Sequence, residues 1–269
     1  MNHQKLFHEL YFAKSEGEVQ KVIDKNPKIF NNSNNWHPLG QNESNFGVIE
    51  NQQSNPIAAI IEKITNSIDA LLTKRCYEEN INPKSKKAPR SMHDALDKFY
   101  PDRNWDLQTY RRKQSEEIQI LADGPGPRTP QSKKPTSVII YDNGEGQHPE
   151  QFENTFLSLL RGNKNEIPFV QGKYNMGGSG GIVFCGKKRY QLIASKRYDN
   201  TGKFGFTLIR EHPLTENEEY SRKNTWYEYL KIDGKIPSFP IEDLDLNLHN
   251  RNFKTETIIK LYSYQFPSG

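Results

Sequence analysis

Apolar side chains in residues 56–72 recur three and four apart. Ile57, Ile60, Ile61, Ile64, Ile68, Leu71 and Leu72 thereby gather on one side of a helix that advances about 100° per residue. Asn55-Pro56 starts this helix well, with asparagine as cap and proline in the first turn, where no hydrogen bond is lost. The same period predicts an amphipathic helix over residues 4–26, ended by Pro27, and a shorter helix near 91–99. The β-branched run Ser137-Val-Ile-Ile-Tyr141 reads as a buried strand. Residues 190–195, 204–210 and 226–232 alternate like antiparallel strands, with Asp199-Asn-Thr-Gly202 as a hairpin turn. Further strands are expected at 47–50, near 118–121 and over 261–266, whereas residues 28–46 are asparagine-rich and irregular, anchored by Trp36 and Phe46. Asp123-Gly-Pro-Gly-Pro127 is a loop. This succession predicts an α/β (α+β) two-layer sandwich, a mixed but largely antiparallel sheet backed by helices, with no internal repeats.

Composition narrows the setting. The 269 residues are 33% hydrophobic and 26% charged, and the mean hydropathy is -0.89. That is polar for one substantial domain, and long surface loops account for it. No apolar run approaches the ~18 residues of a membrane span, and Met1-Asn-His-Gln-Lys5 lacks the apolar core of a signal peptide. Cys76 and Cys185 have neither metal spacing nor disulfide density, so a reducing, cytoplasmic setting is expected. A net charge of +4 permits a nucleic-acid partner without arguing for one. The basic clusters Lys84-Ser-Lys-Lys87 and Arg111-Arg-Lys113 read as solvated surface. Usage rich in Asn, Lys and Ile suggests an AT-rich bacterial genome.

Candidate chemistry starts on the first helix. Within Glu62-Lys-Ile-Thr-Asn66-Ser-Ile-Asp69-Ala70, the side chains of Glu62, Asn66 and Asp69 fall on a narrow arc opposite the isoleucines. Such a row can hold a metal, a water and a polar ligand, or it can be the wet face of an amphipathic helix. The strand at 137–141 empties into Asp142-Asn-Gly144-Glu-Gly146. That turn offers an acceptor beside a backbone that a flat ligand can approach, or it is an ordinary Asn-Gly turn. A third segment, Gly172-Lys-Tyr-Asn-Met-Gly177-Gly-Ser-Gly-Gly181, precedes Ile182-Val-Phe-Cys185. Its N–H groups can cradle phosphate, or it is a linker. It is not a P-loop, because Gly178 occupies the place of the required lysine.

In this order the three segments, with a fourth, Lys254-Thr-Glu-Thr257-Ile-Ile-Lys-Leu261, resemble the nucleotide-binding motifs of the Bergerat-fold, or GHKL, ATPases. That superfamily includes gyrase, large heat-shock chaperones, histidine kinases and MutL. The helix is similar to the pattern E-x-x-x-N-S-x-D-A at every defined position, closest to the MutL and chaperone-like branches. The turn is similar to D-x-G-x-G, the glycine segment to the lid hinge, and the fourth segment to G-T-x-I-x-L. The resemblance covers residues 45 to 264. It implies an N-terminal helical extension over 1–46 and a nucleotide domain over 47–266, interrupted by a polar insertion at about 74–136 that the family pattern lacks.

The resemblance also implies roles. Glu62 would be the general base that orients the attacking water, and Asn66 the protein ligand of Mg²⁺, touching the phosphates as well. Asp142 would accept from the adenine amine, Gly144 and Gly146 would let the base approach the backbone, and Thr257 would support the water network beside Asp142. Asp69 and Ala70 would shape the pocket. The backbone of Gly177, Gly178, Gly180 and Gly181, together with Lys173 and Ser179, would meet the phosphates, and Arg161 and Lys164 would be lid cations. The chain departs from the pattern at Glu256, where the family has glycine, and at Met176, where the lid spacing is irregular.

The function so implied is binding of ATP with Mg²⁺ and slow hydrolysis, an ATPase that switches conformation for a further domain or partner. A lysine from a transducer domain or a separate partner would complete it, because the sequence ends at Phe266-Pro-Ser-Gly269. The resemblance is also compatible with a nucleotide-dependent dimer, and its bacterial members suggest DNA processing or defence. A non-hydrolysing nucleotide sensor is the alternative. A histidine-kinase-type catalytic domain ranks lower, because His3 and His8 lie too near the start to belong to a preceding phosphoacceptor helix.

Overall fold

The computed structural model describes residues 2–101, 115–124, 136–159, 166–172, 179–221 and 224–267. The chain opens with three helices, α1 (His3–Phe12), α2 (Glu16–Lys25) and α3 (Pro27–Phe30), and then a short strand, β1 (Trp36–Pro38). Next come α4 (Phe46–Glu50), the long α5 (Pro56–Glu78), α6 (Met92–Phe99), β2 (Ile118–Asp123) and β3 (Thr136–Asp142). Strands β4 (Gln191–Lys196) and β5 (Phe204–Glu211), helix α7 (Glu216–Ser221), and strands β6 (Tyr227–Leu230), β7 (Ser238–Phe239) and β8 (Glu256–Tyr264) complete it.

The strands form one open sheet in the order β1-β6-β5-β4-β8-β3-β2, with β7 added to β5. Every described pairing is antiparallel. With α5 layered against it, the sheet makes the expected α/β sandwich. Side chains alternate between its two faces. Val138, Ile140 and Leu261 point to the face that carries α5, where Ile60 packs against them. Ile139, Tyr141, Leu192, Phe204, Phe206, Ile258 and Tyr262 point the other way, into a core shared with α1, α2 and α3. Phe7 is its hub, 4.8 Å from the Phe204 ring and 5.5 Å from the Phe206 ring.

Two expectations about chain segments need correction, and a third about α5. Residues 4–26 are two helices, because Ser15 caps a new one by accepting from the Glu18 N–H at 3.3 Å. Residues 47–50 lie in α4, where Asn45 at its start bonds to Leu39 and Tyr227 and Ile49 is buried. The long connection after residue 74 is built into the fold wherever it is described. It continues α5 to Glu78, packs α6 on α5 around Cys76 and Ala95, and supplies β2 as the edge strand. The helix near 91–99 starts where expected, with Ser91 accepting from the Asp94 N–H at 3.1 Å. Among the described residues, no helix is long and apolar enough to cross a membrane.

The third correction concerns the faces of α5. Asn55 caps it as expected, accepting from Ile57 and Ala58 at 2.8 and 3.3 Å. The isoleucine edge, however, does not bury its first half: Ile57 is 49% and Ile61 56% exposed. Ala59, Lys63, Ser67 and Asp69 are buried instead, Ile60 is half-buried against the sheet, and large apolar side chains are fully buried only from Leu71 and Leu72 onward. Hydrophobicity loses here because these polar groups find partners inside.

Candidate functional site

Three strand ends meet at one edge of the sheet. Asp142 on β3 pairs with Thr257 on β8, and Thr257 pairs with Ser195 on β4. The antiparallel register therefore sets a carboxylate and two hydroxyls side by side. Thr257 Oγ1 lies 3.0 Å from Ser195 Oγ, and Ser195 donates to the Glu256 carbonyl at 2.8 Å. Asp142 is held at both oxygens: Ser67 Oγ donates to Oδ2 at 3.1 Å and the Gly144 N–H to Oδ1 at 3.1 Å. Two such bonds fix the orientation of the carboxylate.

Helix α5 lies across this edge. Its Ala70 carbonyl accepts from the Glu145 N–H at 3.2 Å, and Lys74 Nζ donates to Asn143 Oδ1 at 2.6 Å. Gly144 is required by this approach, since a Cβ there would lie 2.5 Å from the Ala70 methyl. Gly146 follows at φ +56°, tucked against the Lys196 carbonyl. Next to Ala70 along α5, the fully buried Asp69 accepts from Gln171 N at 2.9 Å and Gly172 N at 2.8 Å. The carboxylate thus fixes the chain where the glycine segment begins. Gly172 passes so close beneath Asn66 Oδ1 that any side chain would collide with it.

Glu62 and Asn66 lie a turn apart on this edge of α5, both half-buried, and neither side chain has a hydrogen-bond partner among the described residues. Lys173, Gly177 and Gly178, with Arg161 and Lys164, lie outside the described residues. Ser179, Gly180 and Gly181 are buried, and Ser179 Oγ donates to Gln52 Oε1 at 2.9 Å. The structure therefore brings Asn66, Asp69, Ala70, Asp142, Gly144, Gly146 and Thr257 around one place, with Glu62 one turn along.

Sequence reading passed over four contributors. Ser67 and Lys74 tie α5 to the Asp142 turn, and Ser195 stands between Thr257 and the Gln147 N–H, from which it accepts at 2.9 Å. Each lies within or beside a motif but is visible as a partner only once strands are in register. The fourth is Lys63, 2% exposed, whose Cε would lie 2.8 Å from a Cβ at Gly181. Burial pulls its ammonium down to about 8. Burial also pushes the neighbouring Cys185 thiol up to about 12, so it is an inert core group. At Lys74, too, burial lowers the ammonium.

No family model matches this sequence, and no curated protein matches it closely enough to count as a relative. Chemical reading of the site therefore rests on its own donors. Among the described residues, no group of three or more His, Cys, Asp or Glu converges to hold a metal. The Asn66 amide beside the Glu62 carboxylate suits a hard cation that takes most of its oxygens from phosphate and water, as Mg²⁺ does. The close approaches at Gly144 and Gly172 are taken up by Ala70 and Asp142 and by Asn66 and Asp69, so these glycines seat α5 against the turn and the start of the glycine segment.

Proposed function

We propose that this chain binds ATP with Mg²⁺ and hydrolyses it slowly, as a conformational switch for a further domain or partner. The observation that carries this reading is the meeting of Asp142 and Thr257 in register with the Asn66–Ala70 edge of α5, whose Asp69 holds the start of the glycine segment. Those are the segments whose order along the chain resembles the GHKL motifs.

In this reading Asp142 accepts from the base amino group, its orientation set by Ser67 and Gly144. Thr257 supports that contact from the adjacent strand. Asn66 would hold Mg²⁺ through its amide oxygen, where the ion would supply charge neutralisation for the phosphates. Glu62, a turn away, orients a water toward the terminal phosphate and takes its proton. Asp69 holds Gln171 and Gly172 and so couples the start of the glycine segment to α5.

Glu62→Ala is expected to keep ATP affinity within about twofold while phosphate release falls at least ~100-fold. Normal turnover in that variant removes Glu62 from the base role. Intact binding with no release above background in the wild type selects the non-hydrolysing sensor instead.

A further inference from the structure

Glu256 occupies the position that carries glycine in the motif it resembles, and its backbone is correspondingly unusual. Its φ is +108°, a region that L side chains rarely enter. The side chain is 1% exposed, and Oε1 accepts from Arg251 Nη2 at 2.7 Å. Tyr141 Oη is turned toward the same carboxyl, and Arg251 Nε is buried without a hydrogen-bond partner among the described residues. Burial raises the Glu256 carboxyl to about 7, against the pull of Arg251. A strained backbone carrying a buried carboxyl persists only where its surroundings over-determine it.

The strained residue is tied to the site by its carbonyl. Ser195 has one hydroxyl proton, and the 2.8 Å bond to the Glu256 carbonyl uses it. In the 3.0 Å contact between Ser195 and Thr257, Thr257 must therefore be the donor. The Gln147 N–H donates to the same Ser195 oxygen. Thr257 Oγ1 is left with lone pairs only, and its cross-strand neighbour Asp142 presents a carboxylate. That edge of the site offers acceptors alone.

We propose that Glu256 is a positioning residue whose carboxyl, tethered by Arg251, holds the carbonyl that fixes Ser195 and so keeps Thr257 an acceptor for a base amino group. This rests on the nucleotide reading above. An amino-bearing purine is favoured over one with a carbonyl at the same position, because a carbonyl would face only acceptors. Without the tether the backbone relaxes, Ser195 is released to donate to Thr257, and the Thr257 proton can turn toward the ligand.

The test compares wild type, Glu256→Ala and Glu256→Gln in two readouts. One is the ATP-to-ITP affinity ratio by calorimetry, and the other is hydrogen exchange at the Gln147 amide without nucleotide. Glu256→Ala is expected to lower the ratio roughly fivefold, the worth of one hydrogen bond. It should also speed Gln147 exchange roughly tenfold or more. Glu256→Gln still accepts from Arg251 and should restore both. An unchanged ratio and unchanged exchange in folded Glu256→Ala overturn the proposal. Should that variant not fold, Arg251→Gln removes the same tether and is held to the same two outcomes. If the wild type binds neither nucleotide, the ATP reading falls. Gln147 exchange then decides the role of Glu256 alone: faster and rescued by Gln supports it, unchanged overturns it.

Discussion

The two faces of the sheet hold their helices by different means. On one, α1, α2 and α3 are seated by apolar contact, with Phe7, Tyr11, Phe204, Phe206 and Phe239 forming a continuous aromatic cluster. On the other, α5 is attached in good part by directional bonds. Ser67 meets Asp142, Ala70 meets Glu145, Lys74 meets Asn143, and Tyr264 Oη donates to the Pro56 carbonyl at 2.6 Å. Apolar packing is non-directional and costly to disturb anywhere. A few hydrogen bonds fix one geometry and are individually worth about 1 kcal/mol, so a ligand that competes for them can shift it. The largest apolar cluster thus lies on the face without the candidate site, while hydrogen bonds set the seat of α5 beside it.

The sharpest way to break this contrast is Phe7→Ala, which removes the hub of the aromatic face. It should cost about 3–5 kcal/mol in chemical denaturation and leave ATP affinity unchanged wherever the protein remains folded. A large loss of affinity at constant fold would show that the two faces are not separable. Asp69→Ala comes next. Leaving the N–H groups of Gln171 and Gly172 without their acceptor should cost about 2–4 kcal/mol, and here affinity should fall as well, because the glycine segment loses its anchor. Equal stability loss with untouched binding would make Asp69 a purely structural residue. The smallest effect is expected at Ile61→Ser, within about 0.5 kcal/mol, since that side chain lies on the solvent side of α5. A loss of several kcal/mol would return the isoleucine edge to the core.

What the sequence made legible follows the same division. The strand at 137–141, the cap and proline at 55–56, and the hairpin turn at 199–202 are local signals, and the chain obeys them. The orientation of α5 was not legible, because a helical wheel ranks residues by polarity and cannot see that Ser67 and Asp69 have partners 75 and 102 positions away. The break at Ala13–Ser15 was readable in principle from Ser15 and Glu18, yet a continuous apolar period masked it. At the site, Asp142 and Thr257 were singled out by motif order. Ser195 and Glu256 became functional candidates only through register, since a hydroxyl at a strand end and a carboxylate at a glycine position carry no periodic signal.

Calorimetric titration of the protein with ATP, with and without Mg²⁺, beside the Asp142→Asn variant, tests the central claim most directly. Saturable binding, strengthened by Mg²⁺ and weakened at least ~100-fold by Asp142→Asn, is the predicted result. Absence of binding by the wild type, or binding that Asp142→Asn leaves intact, would contradict it.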